Sequence, residues 1–167
     1  AYRGAYNNTT APELGGIAIK SAIEKVGIDA EKIDDVIMGC AMQQGTSGGN
    51  IARLAALSAG LPNTVSGMSI DRQCSSGMMA IATAAKQIIV DGMDSVIGGG
   101  LESISLVQNK SMNTHRMIDK KLIKKQKNIY MPMLQTAEIV SDRYKISREA
   151  QDEIAFESQK RTAAAQE

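Results

Sequence analysis

The residues predict an α/β fold in which a mostly parallel sheet carries helices on both faces. Three observations lead there. Helical patterns alternate with short apolar runs three times before residue 101, the order expected of βα units that feed a parallel sheet. The runs are short and apolar, VIMGCAM at 36–42 most clearly, as buried strands are. Apolar residues make up 43% of the 167 and charged residues 22%. That suffices for one domain with a core, or a core plus a smaller appendage, and is too apolar for a disordered chain.

The first helix is predicted over APELGGIAIKSAIEKVG, from Ala11. Pro12 suits its opening turn, Glu13 the positive end of its dipole, and Gly27 its end. Leu14, Ile17, Ala18, Ala22 and Val26 fall on one face at helical spacing, which predicts the buried stripe. Asp34 and Asp35 lead into the apolar run at 36–42, and the loop QQGTSGGN follows. NIARLAALSAGLP reads as a second helix, closed by Gly60 and Pro62. TVSGMSID is the second strand and ends just before Cys74; SGMMAIATAAKQIIVDG is the third helix, closed by Gly92. DSVIGGG is the third strand. After Ser105 the character changes: residues 110–127 hold seven Lys or Arg and one acid, Asp119. MPMLQTAEIVSDRYK then reads as helix, and Ser147 caps a last helical segment that carries Glu149 and Asp152 in its early turns. The expected organisation is an α/β domain over 1–105, an excursion over 106–147, and a helix returning to the α/β domain over 148–167.

Composition removes several function classes. The net charge of +1 exerts no general pull on nucleic acid or anionic membrane. No run of 18 or more apolar residues and no charged-then-apolar leader is visible, so no membrane association is expected. Cys40 and Cys74 are the two cysteines, and their spacing matches neither a CxxC pair nor a zinc site. They predict a reducing setting: the cytoplasm, or a mitochondrial or peroxisomal matrix in a eukaryotic host. Ten methionines and 3% aromatics predict a core of Ile, Val, Leu, Ala and adaptable Met.

Cys74 is the main candidate for chemistry. In IDRQCSSGMMAI it lies at a strand-to-helix junction, where parallel sheets present ligand sites. Unpaired backbone N–H groups and the positive end of the helix dipole stabilise a thiolate there, Arg72 adds charge, and Ser75, Ser76 and Gly77 leave room for an electrophile. The SSG stretch also suits backbone N–H groups receiving an oxyanion. The competing reading is a buried structural thiol, which is the reading for Cys40 inside its apolar run. A cysteine that transfers acyl groups needs a base, most often His. The single histidine, His115, lies in the polar basic stretch and reads as a solvated residue. Either Cys74 is not catalytic, or its partner lies outside these residues. GTSGGN at 45–50 lacks the Lys of a phosphate loop and GGGLES at 98–103 lacks the third glycine of a dinucleotide fingerprint, so close packing or tight turns account for both. The basic run reads as a solvated face, or as a site for a highly anionic small molecule; without interleaved aromatics it is no nucleic-acid motif.

APELGGIAIKSAIEKVGI, IDDVIMGCAMQQGTSGGNIARLAALSAGLP, DRQCSSGMMAIATAAKQI, IGGGLESIS and MLQTAEIVSDRYKISREAQDEIA, in this order, resemble the thiolases, the acyl-CoA:acetyl-CoA C-acyltransferases. The resemblance implies that Cys74 takes the acyl group from a coenzyme A thioester, so that acyl-CoA and coenzyme A are substrates and no cofactor is permanently bound. It implies that Met133 lines the acyl pocket and that the basic excursion begins a loop domain covering coenzyme A. It implies a layered fold of two similar halves and a homodimer or homotetramer. It further implies a first, central strand before Ala1 and a second half, with its catalytic histidine, after Glu167, so that residues 1–167 alone are expected not to turn over. Two departures stand out: Pro132-Met133-Leu134 replaces a common His-Met-Gly, and Asp71 stands where asparagine is common. The alternatives are a non-catalytic fragment or interaction module and a decarboxylating ketoacyl synthase; IARLAALSAG and TAEIVSDRY count against the latter.

Overall fold

A computed structural model describes residues 4–167. The chain forms two compact units, one ending at Asn113 and one comprising Thr114–Glu167.

The first unit is built on three parallel strands, β1 (Asp35–Gly39), β2 (Ser66–Ile70) and β3 (Val96–Gly100), in the order β2-β1-β3. Ile37 of β1 stands opposite Met68 on one side and Gly98 on the other. All five residues of β1 are buried. Its side chains alternate, as strand geometry requires. Val36 and Met38 enter a cluster with Ile19, Ala52, Ala55, Ala56 and Val65, while Ile37 packs with Ala80 and Ala84. Helices therefore cover both faces: α1 (Ala11–Val26) and α2 (Ile51–Ser58) on one, α3 (Ser76–Lys86) on the other. This is the predicted α/β class. β1 pairs directly with both neighbours.

Helix α1 begins with Pro12 in its first turn and ends at Gly27, whose φ of 72° is left-handed and whose N–H bonds to the Ile23 carbonyl. Its buried stripe is not the predicted one. Ala11, Gly15, Gly16 and Ile19 face the core, while Ile17 and Val26 are 54% and 76% exposed. The cause is close approach to α2. A Cβ on Gly15 would stand 2.7 Å from that of Ala55, and one on Gly16 would stand 2.7 Å from Ser58 Oγ. Two glycines thus set the face, and a count of apolar residues reads them as neutral.

Helix α3 passes into a wider π turn over Gln87–Asp91 before Gly92, at φ 73°, ends it. A four-residue helix, α4 (Ile104–Val107), follows β3. The second unit contains α5 (Lys120–Lys125), α6 (Met133–Tyr144) and α7 (Arg148–Gln166). Asp119 caps α5, a helix the sequence reading did not predict, by accepting from the Lys121 N–H at 2.7 Å. Ser147 caps α7, as expected, by accepting from the Ala150 N–H at 3.2 Å. Among the described residues no helix is long and apolar enough to cross a membrane.

Candidate active site

The carboxyl ends of β1, β2 and β3 meet the start of α3, and the turn Asp71–Ser75 lies between β2 and that helix. Side chains of the turn bond back to its own main chain. Asp71 Oδ1 accepts from the Gln73 N–H at 2.8 Å, and Ser75 Oγ donates to the Arg72 carbonyl at 2.8 Å. Gln73 adopts φ 48°, a left-handed conformation that disfavours side chains. An asparagine Oδ1 would accept the same bond, so Asp71 can fill this part of the turn as asparagine does. Ser75 stands at the cap position of α3 but spends its hydroxyl on Arg72, and no side chain caps the helix. The Ser76 N–H donates to the Gln73 carbonyl at 3.0 Å, while the N–H groups of Gly77 and Met78 have no intrahelical acceptor and are left for an incoming oxygen.

Cys74 is an exposed free thiol in this turn. It opens on a cavity of about 650 Å³ whose wall includes Met42, Gln73, Gly77, Leu101 and Glu102. Arg72 Nη1 rests on the Met79 sulfur at 3.1 Å. The first turn of α3 lies directly on the sheet. A Cβ on Gly39 would overlap the backbone of Ser76 and Gly77, and one on Gly100 would stand 3.2 Å from Gly77 Cα. Gly98 and Gly100 of GGGLES are therefore packing glycines, one of the two explanations open from the sequence.

Glu102 was not singled out from the sequence. Its carboxylate accepts from the N–H groups of Ala41 and Met42 at 2.9 and 3.1 Å and from the Cys40 thiol at 3.3 Å. It ties the segment after β3 to the segment after β1, both of which line the cavity. Its signal was faint: an acid directly after a glycine-rich strand end. Cys40 is buried, as expected. Burial, then the hydrogen bond and charge of Glu102, push its thiol from 9.0 up to about 11. A pKa raised by folding stabilises the protein below the unfolded value and loses that contribution as pH rises toward the folded one. Unfolding free energy is expected to fall by about 2 kcal/mol between pH 8 and 10.5 on this account. Urea titrations of wild type and Cys40→Ala check this; equal slopes against pH in both would refute it.

The two other residues considered from the sequence lie in the second unit. Met133 opens α6 and is 77% exposed, and His115 is exposed near the start of that unit.

Residues 1–167 match the family model described as the thiolase N-terminal domain. The chain belongs to the thiolase family. It is 41% identical to the 3-oxoadipyl-CoA/3-oxo-5,6-dehydrosuberyl-CoA thiolase of Escherichia coli (strain K12), over 99% of this chain and 45% of that protein. It is 38% identical to the 3-ketoacyl-CoA thiolase of Bacillus subtilis (strain 168), over 99% of this chain and 42% of that protein. The crystal structure of the Bacillus anthracis acetyl-CoA acetyltransferase superposes with a TM-score of 0.76 at 36% identity, covering 92% of this chain and 41% of that one. The chain thus spans less than half the length of these thiolases.

Proposed function

We propose that this thiolase-family protein transfers acyl groups between coenzyme A thioesters with Cys74 as the acyl acceptor. The observation that carries the reading is the placement of Cys74: an exposed thiol in a turn braced by its own side chains, at an uncapped helix start, facing a cavity. In the first step the Cys74 sulfur attacks the C3 keto carbonyl of a 3-ketoacyl-CoA. Its bond to the C3 carbonyl forms as the C2–C3 bond breaks, and the proton lost by the thiol is matched by one gained at C2 of departing acetyl-CoA. A second coenzyme A thiol then takes the acyl group, returning a proton to Cys74. Run in reverse, the same site joins two acyl groups. The N–H groups at the start of α3 are suited to hold the negative oxygen that forms at the carbonyl.

Acyl-CoA and coenzyme A are on this reading substrates, with no permanently bound cofactor. Met133 contributes to the acyl pocket, and residues 106–147 belong to a part that covers coenzyme A. The protein works as a homodimer or homotetramer in the cytoplasm or an organelle matrix. The thiolase names of its relatives support acyl transfer to coenzyme A over transfer to an acyl carrier protein.

Iodoacetamide labelling near neutral pH tests the assignment on the folded protein. Cys74 is expected to label much faster than Cys40, which is 1% exposed and holds its proton. Equal rates, or preference for Cys40, would remove the basis for the reading.

A further inference from the structure

Ser76 is 4% exposed, and its hydroxyl works in two directions at once. Oγ donates to the Gln73 carbonyl at 2.6 Å and accepts from the Arg72 N–H at 2.8 Å. These two groups bracket Gln73, the residue held at φ 48°. A left-handed non-glycine residue is strained and persists only where its surroundings hold it. A hydroxyl both donates and accepts, which neither an ammonium nor a carboxylate does. The main chain of Ser76 is meanwhile pressed on β1 at Gly39, where not even a methyl group fits. One end of the residue is therefore anchored to the sheet and the other grips the turn that carries Cys74.

We infer that Ser76 is the positioning residue of this turn: its hydroxyl holds Gln73 left-handed and so aims the Cys74 sulfur into the cavity. The inference rests on the reading of Cys74 as acyl acceptor. Ser76 acts through Cys74, and its loss affects the rate of acylation, not the binding of the thioester.

The test follows acetylation of Cys74 in the full-length protein, mixed with acetyl-CoA, quenched in acid and mapped by peptide mass. Ser76→Ala is expected to slow acetylation by on the order of 10- to 100-fold, the loss that misplacing a reacting group by about an ångström brings. Half-saturation in acetyl-CoA should stay where it is. Ser76→Thr, which keeps the hydroxyl, should recover most of the rate. Buried Cys40 reports on the fold and should stay unlabelled by iodoacetamide in every variant. Wild-type acetylation rates in Ser76→Ala overturn the inference. So does a Thr variant as slow as Ala, or an Ala variant that opens Cys40 to the reagent, which would make Ser76 a general stabiliser. A wild type that never acetylates at Cys74 refutes the acyl-acceptor reading instead. The alkylation rate of Cys74 in the Ser, Ala and Thr forms then decides the positioning role.

Discussion

Cys74→Ala is expected to abolish acyl transfer by the full-length protein and to leave its fold intact. The two halves of that result have separate causes. Acyl transfer through a covalent intermediate has no path without the sulfur, and removing a nucleophile that works in concert with other groups costs on the order of a million-fold in rate. Stability should barely move, because Cys74 is exposed and the bonds that hold its turn come from Asp71, Ser75 and Ser76. Exposed substitutions away from such features shift stability by about 0.5 kcal/mol or less. Coenzyme A release and thermal unfolding, measured side by side, check both halves. A residual rate within about a hundred-fold of wild type would mean that another group takes the acyl chain. A large loss of stability would mean that the thiol is structural after all.

Gly39→Ala should be the most damaging single methyl group in the first unit. The new Cβ would coincide with the main chain of Ser76 and Gly77, so relief requires α3 to lift from β1. Overpacking against backbone costs about 1–3 kcal/mol and sometimes more. Here the displaced segment carries Cys74, so stability and acylation should fall together. Gly77→Ala, on the helix side of the same contact, is the control. Nothing stands within 4 Å of a Cβ at Gly77, and alanine is the better helix former by about 1 kcal/mol. That variant should fold at least as well as wild type, while its methyl group narrows the cavity that Gly77 lines. Chemical denaturation with Cys74 acetylation rates distinguishes the pair. Equal stability in the two variants would show that α3 is not seated on Gly39 as described.

The α/β class and the position of Cys74 were legible because the signals involved are local. Pro12 and Gly27 mark the ends of α1, and Ser147 caps α7, through interactions that reach no further than one helical turn. Alternation of helical and strand segments in turn restricts the sheet to a parallel one. The same logic places Cys74 at a strand-to-helix junction, between β2 and α3. The burial of Cys40 was legible too, from the apolar run around it. Strand ends were less so: the run at 36–42 continues past the last paired residue, Gly39, because apolar character does not show where pairing stops.

By itself, then, the sequence determined the three strands, the longer helices that alternate with and follow them, and which thiol stands at a strand end, though not the short helices α4 and α5. Tertiary structure alone decided the rest. The buried stripe of α1 follows from Gly15 and Gly16 meeting Ala55 and Ser58, some forty residues away, and not from where its larger apolar side chains fall. Glu102 matters because it reaches Cys40, Ala41 and Met42 across about sixty residues of chain. Gly39 matters because the first turn of α3 comes to rest on it. Caps and periodicity express forces acting within a few residues, whereas close packing and buried hydrogen bonds depend on which distant groups the folded chain brings within a few ångströms. That second kind of information has no fixed spacing along the sequence, and it takes the closed sheet with its seated helix to reveal it.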